Sequence, residues 1–260
     1  SVLSKRVDGM HEIKTHFQLI NLFDELLIKK SSSKSISVKT NLNSSIDGKN
    51  NIVFFAIKAL SDHIGKEIFC DVEIEKNIPL GGGLGGGSSN AAAALIGANA
   101  LFKLGLSIKE LMMLGEKLGA DVPFFVYGKN AHASGIGEIL IEAKKQVDTK
   151  YLLLFPNIHS STKELFSKWD KLTKASQEFI NLSEENSFLP IFLENNEEIK
   201  KIFNDLNKMN SFKLSGTGST FFCVYNDLEE IEKTIKKIPT KWRHFFCEPL
   251  QCSPLLTLIE

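Results

Sequence analysis

No charge surplus marks this chain. Its 31 lysines and arginines are matched by 31 aspartates and glutamates, so it lacks the basic face by which proteins hold a nucleic acid through its phosphates. Any anion must be held by local features. Cysteine is sparse. Cys70, Cys223, Cys247 and Cys252 form no CxxC pair and no Cys/His cluster, which argues against a structural zinc site. Surroundings such as Phe221-Phe222-Cys223 fit reduced thiols in a core. No run is long and apolar enough to span a bilayer, and no basic stretch followed by an apolar one opens the chain. A cytoplasmic location is therefore expected. What remains is the composition of a soluble globular protein, 43% apolar and 24% charged over 260 residues, room for one large domain or two small ones.

Strand and helix signals mix along the chain. Ser1-Val2-Leu3 reads as the tail of an element, ahead of a turn at Val7-Asp8-Gly9 with no strand or helix of its own to feed it. The expectation is that the native start lies upstream or that the amino terminus is shortened. Between Glu12 and Ile28, the apolar positions Phe17, Leu19, Leu27 and Ile28 suit strands, and Ile36–Val38 suits another. Residues 42–49 read as a loop, after which Asn51 caps a buried helix. Val72-Glu73-Ile74-Glu75-Lys76 alternates as a half-buried strand does. An alanine-rich helix is expected from Ser89 to Lys103, with Gly105 as its C′ glycine, and Ser107 caps a further helix to Leu118. His132–Ile141 and Tyr151–Phe155 read as strands. Helices are expected at Lys163–Lys171, Glu197–Met209 and Leu228–Ile238, and strands at Phe212–Leu214, Thr220–Tyr225 and Phe245–Glu248. The polar stretch Asn181–Ser187 is the best linker. No internal repeat and no clean βαβ repeat is visible, which favours an α+β fold over a doubly wound sheet.

The sharpest local signal is Pro79-Leu80-Gly81-Gly82-Gly83-Leu84-Gly85-Gly86-Gly87-Ser88-Ser89-Asn90, followed by four alanines. Six glycines in seven positions remove nearly every Cβ, so the backbone can approach a ligand closely. A helix follows at once. Its first amides lack intrahelical partners and, with the helix dipole, favour an anion. A flexible linker would not run straight from an alternating strand into a strong helix. The loop lacks the Gly-Lys-Ser/Thr ending of a Walker loop and has no acidic partner at dinucleotide-binding spacing.

Two further strings stand out. Leu118-Gly119-Ala120-Asp121-Val122-Pro123 holds one carboxylate before a proline that fixes the turn. Such an aspartate is either a helix cap or a free acid–base group. Lys213-Leu214-Ser215-Gly216-Thr217-Gly218-Ser219-Thr220 reads alone as a hairpin turn between apolar runs.

Together these three strings resemble the motifs of the GHMP kinases. The doubled Gly-Gly-Gly loop is most similar to that of the diphosphocytidyl-methylerythritol kinase branch. The resemblance runs from Arg6 to Leu255. It implies a two-lobed α+β fold, with an amino-terminal lobe of the ribosomal protein S5 domain 2 type (residues 1–145, holding ATP) and a ferredoxin-like carboxy-terminal lobe (residues 146–260). It implies transfer of the γ-phosphoryl of ATP to the 2-hydroxyl of a cytidyl diphosphate substrate, with Mg²⁺ between the phosphates. Asn51, Ile52, Lys76 and Leu80 are implied near the adenine. Gly82, Gly83, Leu84, Gly85, Gly86, Gly87, Ser88 and Ser89 are implied on the phosphates. Asp121 is implied as the catalytic base. Arg6-Val7-Asp8-Gly9-Met10-His11 resembles a stretch where a Tyr stacks on cytosine and the His binds it. Here Met10 stands for the Tyr, and its sulfur can pack on a base without offering a ring. Phe166, after Thr162, is implied on the other face of the base. Read alone, His11 is a surface strand residue and Phe166 the core side of an amphipathic helix. Asn90, Gly216, Thr217 and Gly218 complete the implied acceptor side. No metal ligand is assigned; Ser88, Ser89 and Thr217 are hydroxyls that could serve.

The ending Leu250-Gln251-Cys252-Ser253-Pro254-Leu255 also fits the branch, with Cys252 for a Leu. The departure is at the start, where the branch has a Pro-Ala-Lys-x-Asn strand whose Lys neighbours the catalytic Asp. Without that cation the Asp would lack its charge partner. Three alternatives stand beside this reading: another small acceptor such as homoserine or a sugar, a nucleotide-binding protein with impaired catalysis, and a purely structural scaffold, against which the intact glycine loop argues. The expected partner is the small-molecule substrate, with no nucleic acid and no membrane, in a monomer or weak homodimer.

Overall fold

A computed structural model of the chain describes residues 1–42, 44–144, 149–175 and 186–259. In chain order its elements are β1 (Val2–Lys5), β2 (His11–Ile13), β3 (Thr15–Phe17), β4 (Glu25–Lys30) and β5 (Ile36–Thr40). Next come α1 (Ile52–Ile64), β6 (Cys70–Glu75), α2 (Gly86–Phe102), α3 (Ile108–Glu116) and α4 (Val122–Tyr127). β7 (Ala131–Ser134), β8 (Ile139–Glu142), β9 (Lys150–Phe155), α5 (Thr162–Ala175), α6 (Leu189–Glu194) and α7 (Glu197–Asn207) follow. β10 (Lys213–Leu214), β11 (Phe221–Tyr225), α8 (Leu228–Ile235) and β12 (Arg243–Cys247) complete the series. The chain is a mixed helix-and-sheet α+β protein. No helix among the described residues is long and apolar enough to cross a membrane.

The elements gather into two compact units. One holds His16–Ile78, Gly85–Lys144 and Leu250–Glu260. Its sheet runs β4-β6-β5, with β4 antiparallel and β5 parallel to β6. The alternation in β6 does what its period requires: Cys70, Val72 and Ile74 are buried and Glu73 and Glu75 exposed. On that face lie Val53, Ile57 and Leu60 of α1 and the length of α2. α2 is buried nearly all round, and its alanines let neighbouring helices approach closely. Within it Leu95 and Ile96 are wholly buried, each contributing about 1.5–3 kcal/mol of apolar burial. Asn51 caps α1 by accepting the Val53 amide at 3.0 Å. Ser107 and Glu110 form a reciprocal capping box at α3. The strands β3-β7-β8 form a second sheet. Buried Asn130 accepts the Leu19 amide at 2.8 Å and donates to the Leu250 carbonyl at 2.8 Å, tying the last segment to this unit.

The other unit holds Ser1–Thr15, Pro79–Leu84 and Lys145–Pro249. Its antiparallel sheet runs β10-β11-β9-β12. Leu152, Leu154, Phe221 and Cys223 pack into a core with Ile191, Phe203, Ile231 and Trp242. Burial pushes the thiols of Cys70, Cys223 and Cys247 up to about 11, 12 and 11, so they stay protonated and inert.

Several sequence expectations need correction. The Val7-Asp8-Gly9 turn is fed by a strand, because β1 pairs antiparallel with β2; only Val2 of β1 is buried, so no pattern betrays it. α2 starts at Gly86 rather than Ser89, and its left-handed end is Lys103, ahead of Gly105. Asn99 makes that end possible by bonding both backbone groups of Leu106 at 3.0 Å. The segment after Asp121 is a helix, α4, with its proline in the first turn where the missing amide costs nothing. The stretch 132–141 is a hairpin, β7 and β8, reversed at Gly135 and Gly137 with φ of +71° and +117°. α6 carried no signal that was read. Residues 181–185 of the expected linker lie outside the described residues.

Candidate active site

The strand β6 delivers the chain to the glycine loop, and the loop ends as α2 begins. Gly85 is the N-cap of α2 at φ +67°, a conformation that favours glycine, and no side chain caps the helix. The first turn holds no acidic residue. The Ser89 amide is the first to bond back, to the Gly85 carbonyl at 2.8 Å. The amides before it have no acceptor within the helix, and the helix dipole adds to their pull on an anion. A Cβ on Gly85 would stand 2.7 Å from the Phe125 ring, whereas one on Gly87 would meet nothing within 4 Å. Ser88 and Ser89 are half-buried in this turn, and Asn90 is buried one step further on.

Asp121 belongs to the same unit. It sits at the N-cap of α4, yet its carboxylate makes no capping bond, nor any other hydrogen bond or ion pair with the described residues. Burial pushes its carboxyl above the ordinary carboxylate range. The turn that carries it lies beside the start of α2: a Cβ on Gly119 would stand 4.0 Å from Ser88 Oγ. An uncommitted carboxylate of raised basicity thus stands near free amides, as a general base for a bound anionic reactant would.

Residues 79–84 belong to the other unit, and there the third motif packs on them. The Thr220 amide donates to the Gly82 carbonyl at 3.0 Å, and Ser215 Oγ donates to the Gly83 carbonyl at 2.8 Å. Gly83, at φ +70°, leaves no room for a Cβ against the carbonyls of Ser215 and Gly218. Ser160 Oγ donates to the Thr217 carbonyl at 2.6 Å, and Thr162 Oγ1 lies 2.9 Å from Thr217 Oγ1. The third motif is therefore brought against Gly83, which lies 132 residues before Ser215, and against Thr162, which lies 55 before Thr217.

Met10 and His11 leave the first hairpin in this same unit. Met10 is exposed. His11 Nε2 lies 2.6 Å from Asp170 Oδ1, and Lys5 pairs with the same carboxylate. Burial alone would raise the Asp170 carboxyl, but the bonds and charges of His11 and Lys5 outweigh it and hold it below its ordinary range. The His11 ring lies tilted over Phe166 with centroids 4.5 Å apart and sets its edge to Trp169 at 5.6 Å. Phe166 also packs against the core, edge-on to Phe188 at 4.8 Å. The other implied positions have surroundings of their own. Asn51 uses its amide as a cap and as a donor to the Ile46 carbonyl. Ile52 is half-buried and Leu80 exposed. Lys76 is ion-paired with Asp24.

Two of these partners went unread in the sequence. Asp170 follows Thr162 and Phe166 at i+4 spacing on α5, so a helical period could have found it. Asp24 offers no local signal. It meets Lys76 only because β4 pairs with β6 in a register that sets Glu25 opposite Glu75. Among the described residues no three His, Cys, Asp or Glu side chains converge into a metal-holding group.

Residues 51–129 match the family described as GHMP kinases N terminal domain, and residues 165–244 match GHMP kinases C terminal. A 4-diphosphocytidyl-2-C-methyl-D-erythritol kinase of Francisella tularensis subsp. novicida is 40% identical over 257 residues, 93% of this chain and 90% of that one. The protein of the same name from Ruthia magnifica is 36% identical over 265 residues, 97% of this chain and 91% of its own length. Among solved structures, a 4-(cytidine 5'-diphospho)-2C-methyl-D-erythritol kinase is similar with a TM-score of 0.75 at 26% identity, over 96% of this chain and 94% of that one.

Proposed function

The chain belongs to the GHMP kinases, in the branch of the 4-diphosphocytidyl-2-C-methyl-D-erythritol kinases, and we infer that it moves the γ-phosphoryl of ATP onto the 2-hydroxyl of 4-diphosphocytidyl-2-C-methyl-D-erythritol, in the non-mevalonate route to isoprenoids. The observation that carries the reading is the bare amino end of α2, with glycine at its cap and no side-chain cap on its first amides. Phosphoryl transfer asks little covalent chemistry of a protein, and positioning and charge stabilisation supply most of the rate. The amides of the first turn of α2 take the phosphate oxygens. The Asp121 carboxylate, without a competing partner, takes the proton of the attacking hydroxyl. The new oxygen–phosphorus bond forms as the β–γ bridge breaks, and ADP leaves. Hydroxyls such as Ser88, Ser89 or Thr217 would be this chain's contribution to holding Mg²⁺, which would neutralise phosphate charge when bound with the nucleotide.

The acceptor reading rests on His11, fixed by Asp170 against Phe166. The pair supplies a polar edge and a flat apolar face, which suit a pyrimidine base. Homoserine has no ring to use that face, and the sugar ring of galactose is neither flat nor aromatic. The reading also takes the enzyme to work in the cytoplasm as a monomer or weak homodimer. The test is an acceptor panel with ATP held saturating. The cytidyl substrate is expected to give the highest kcat/KM, and faster turnover of homoserine or galactose would reject the acceptor assignment.

A further inference from the structure

We propose that Asp24 is the positioning residue of the nucleotide site, holding the end of β6 and, through Lys76, the first turn of α2. The proposal rests on the nucleotide reading above and adds a residue to it. In the β4–β6 register Glu25 lies opposite Glu75, so the next pair outward is Asp24 and Lys76. The side chain of Asp24 is 0% exposed and that of Lys76 4%. A carboxylate so buried must be fully paired, and this one is. Its Oδ2 meets Lys76 Nζ, and its Oδ1 accepts the amides of Asn77 at 2.7 Å and Ile78 at 2.8 Å. Asn77 Nδ2 donates to the Phe23 carbonyl at 3.2 Å, doubling the tie between the two segments.

The clamp bears on α2. Lys76 Nζ stands 3.4 Å, and Ile78 Cγ2 2.9 Å, from where a Cβ of Gly86 would be. Gly86 is the first residue of α2. One carboxylate therefore fixes both the chain entering the glycine loop and the wall against which the helix starts. Because the pair is neutral overall, it leaves the positive end of the helix dipole to the phosphates. Buried ion pairs add little stability compared with apolar replacements, and their best-attested use is to fix one arrangement. Lys76 thus serves the nucleotide through Gly86, with its own charge committed to Asp24.

The test compares Asp24→Asn with the double variant Asp24→Asn/Lys76→Met, which removes both charges and guards against a variant that fails to fold. Calorimetry should give an ATP Kd at least about tenfold above the parent's in whichever variants fold, with the KM of the cytidyl substrate within about threefold. Hydrogen exchange of the peptide covering residues 76–88, measured without nucleotide, should speed up in both. Parental ATP affinity together with parental exchange in the folded double variant would overturn the proposal and leave the pair a structural one. If the parent itself binds no ATP, the nucleotide reading falls, and the exchange measurement still decides whether Asp24 holds the loop.

Discussion

Gly87→Val separates the needs of the fold from the needs of the ligand. Gly87 lies in the first turn of α2, is exposed, and a Cβ there would meet nothing within 4 Å. The folded chain therefore has room for the valine. Glycine in a helix costs about 1 kcal/mol relative to alanine and valine less, so the helix should gain a few tenths. That gain is chiefly the unfolded-state freedom that glycine would otherwise lose on folding. The melting temperature should hold or rise. The ligand should fare differently. A hydrogen bond to a charged group is worth about 1.5–3 kcal/mol, so each phosphate contact pushed away should cost about 10- to 150-fold in affinity. Titration calorimetry with ATP, beside a thermal melt, reads both quantities. Gly85 would be a poor site for this experiment, since its φ of +67° and the Phe125 ring would strain the fold itself. A folded Gly87→Val chain that binds ATP within about twofold of the parent would refute the assignment of α2 as the phosphate site.

Three other outcomes follow from the same geometry. Asp121→Asn should lower kcat by about 10²–10⁴. It should also stabilise the chain at neutral pH: burial raises this carboxyl, so charging it costs folding energy above the ordinary carboxylate range, and the gain should vanish below that range in pH-dependent melts. Asp170→Asn should raise the KM of the cytidyl substrate about tenfold, the worth of one charge-assisted bond, with the KM of ATP unmoved; equal changes in both would make Asp170 a structural residue. His16 and His132 lie with their Nδ1 atoms 3.4 Å apart, and burial first and the His132 charge second lower the His16 pKa. The folded chain thus binds fewer protons than the unfolded one as pH falls, and His16→Asn should lessen the loss of stability between about pH 7 and about pH 5.

The legible parts of the sequence were those whose signal is local. The alternation of β6, the caps at Asn51 and Ser107 and the glycine loop each carry their cause within a few residues. What was illegible depended on partners far along the chain. Gly86 and Gly87 are poor helix formers, and they are helical because α2 is buried against α1 and α4. Pro123 reads as a turn and in fact lies in the first turn of α4. Asp121 was recognisable as a lone carboxylate, but only the structure shows that it caps nothing. The third motif reads as a bare hairpin until Ser215 and Thr220 are seen bonded to Gly83 and Gly82. Asp24 became visible only with the strand register.

The central claim is the reaction itself, and phosphorus NMR of one reaction mixture tests it most directly. The chain is mixed with ATP, Mg²⁺ and 4-diphosphocytidyl-2-C-methyl-D-erythritol, and the product's phosphorus resonances are assigned. The account predicts ADP and a new phosphomonoester on the 2-hydroxyl of the erythritol in equal amounts, with the cytidyl diphosphate bridge intact. Inorganic phosphate in place of the ester, or an ester on any other oxygen, would contradict it.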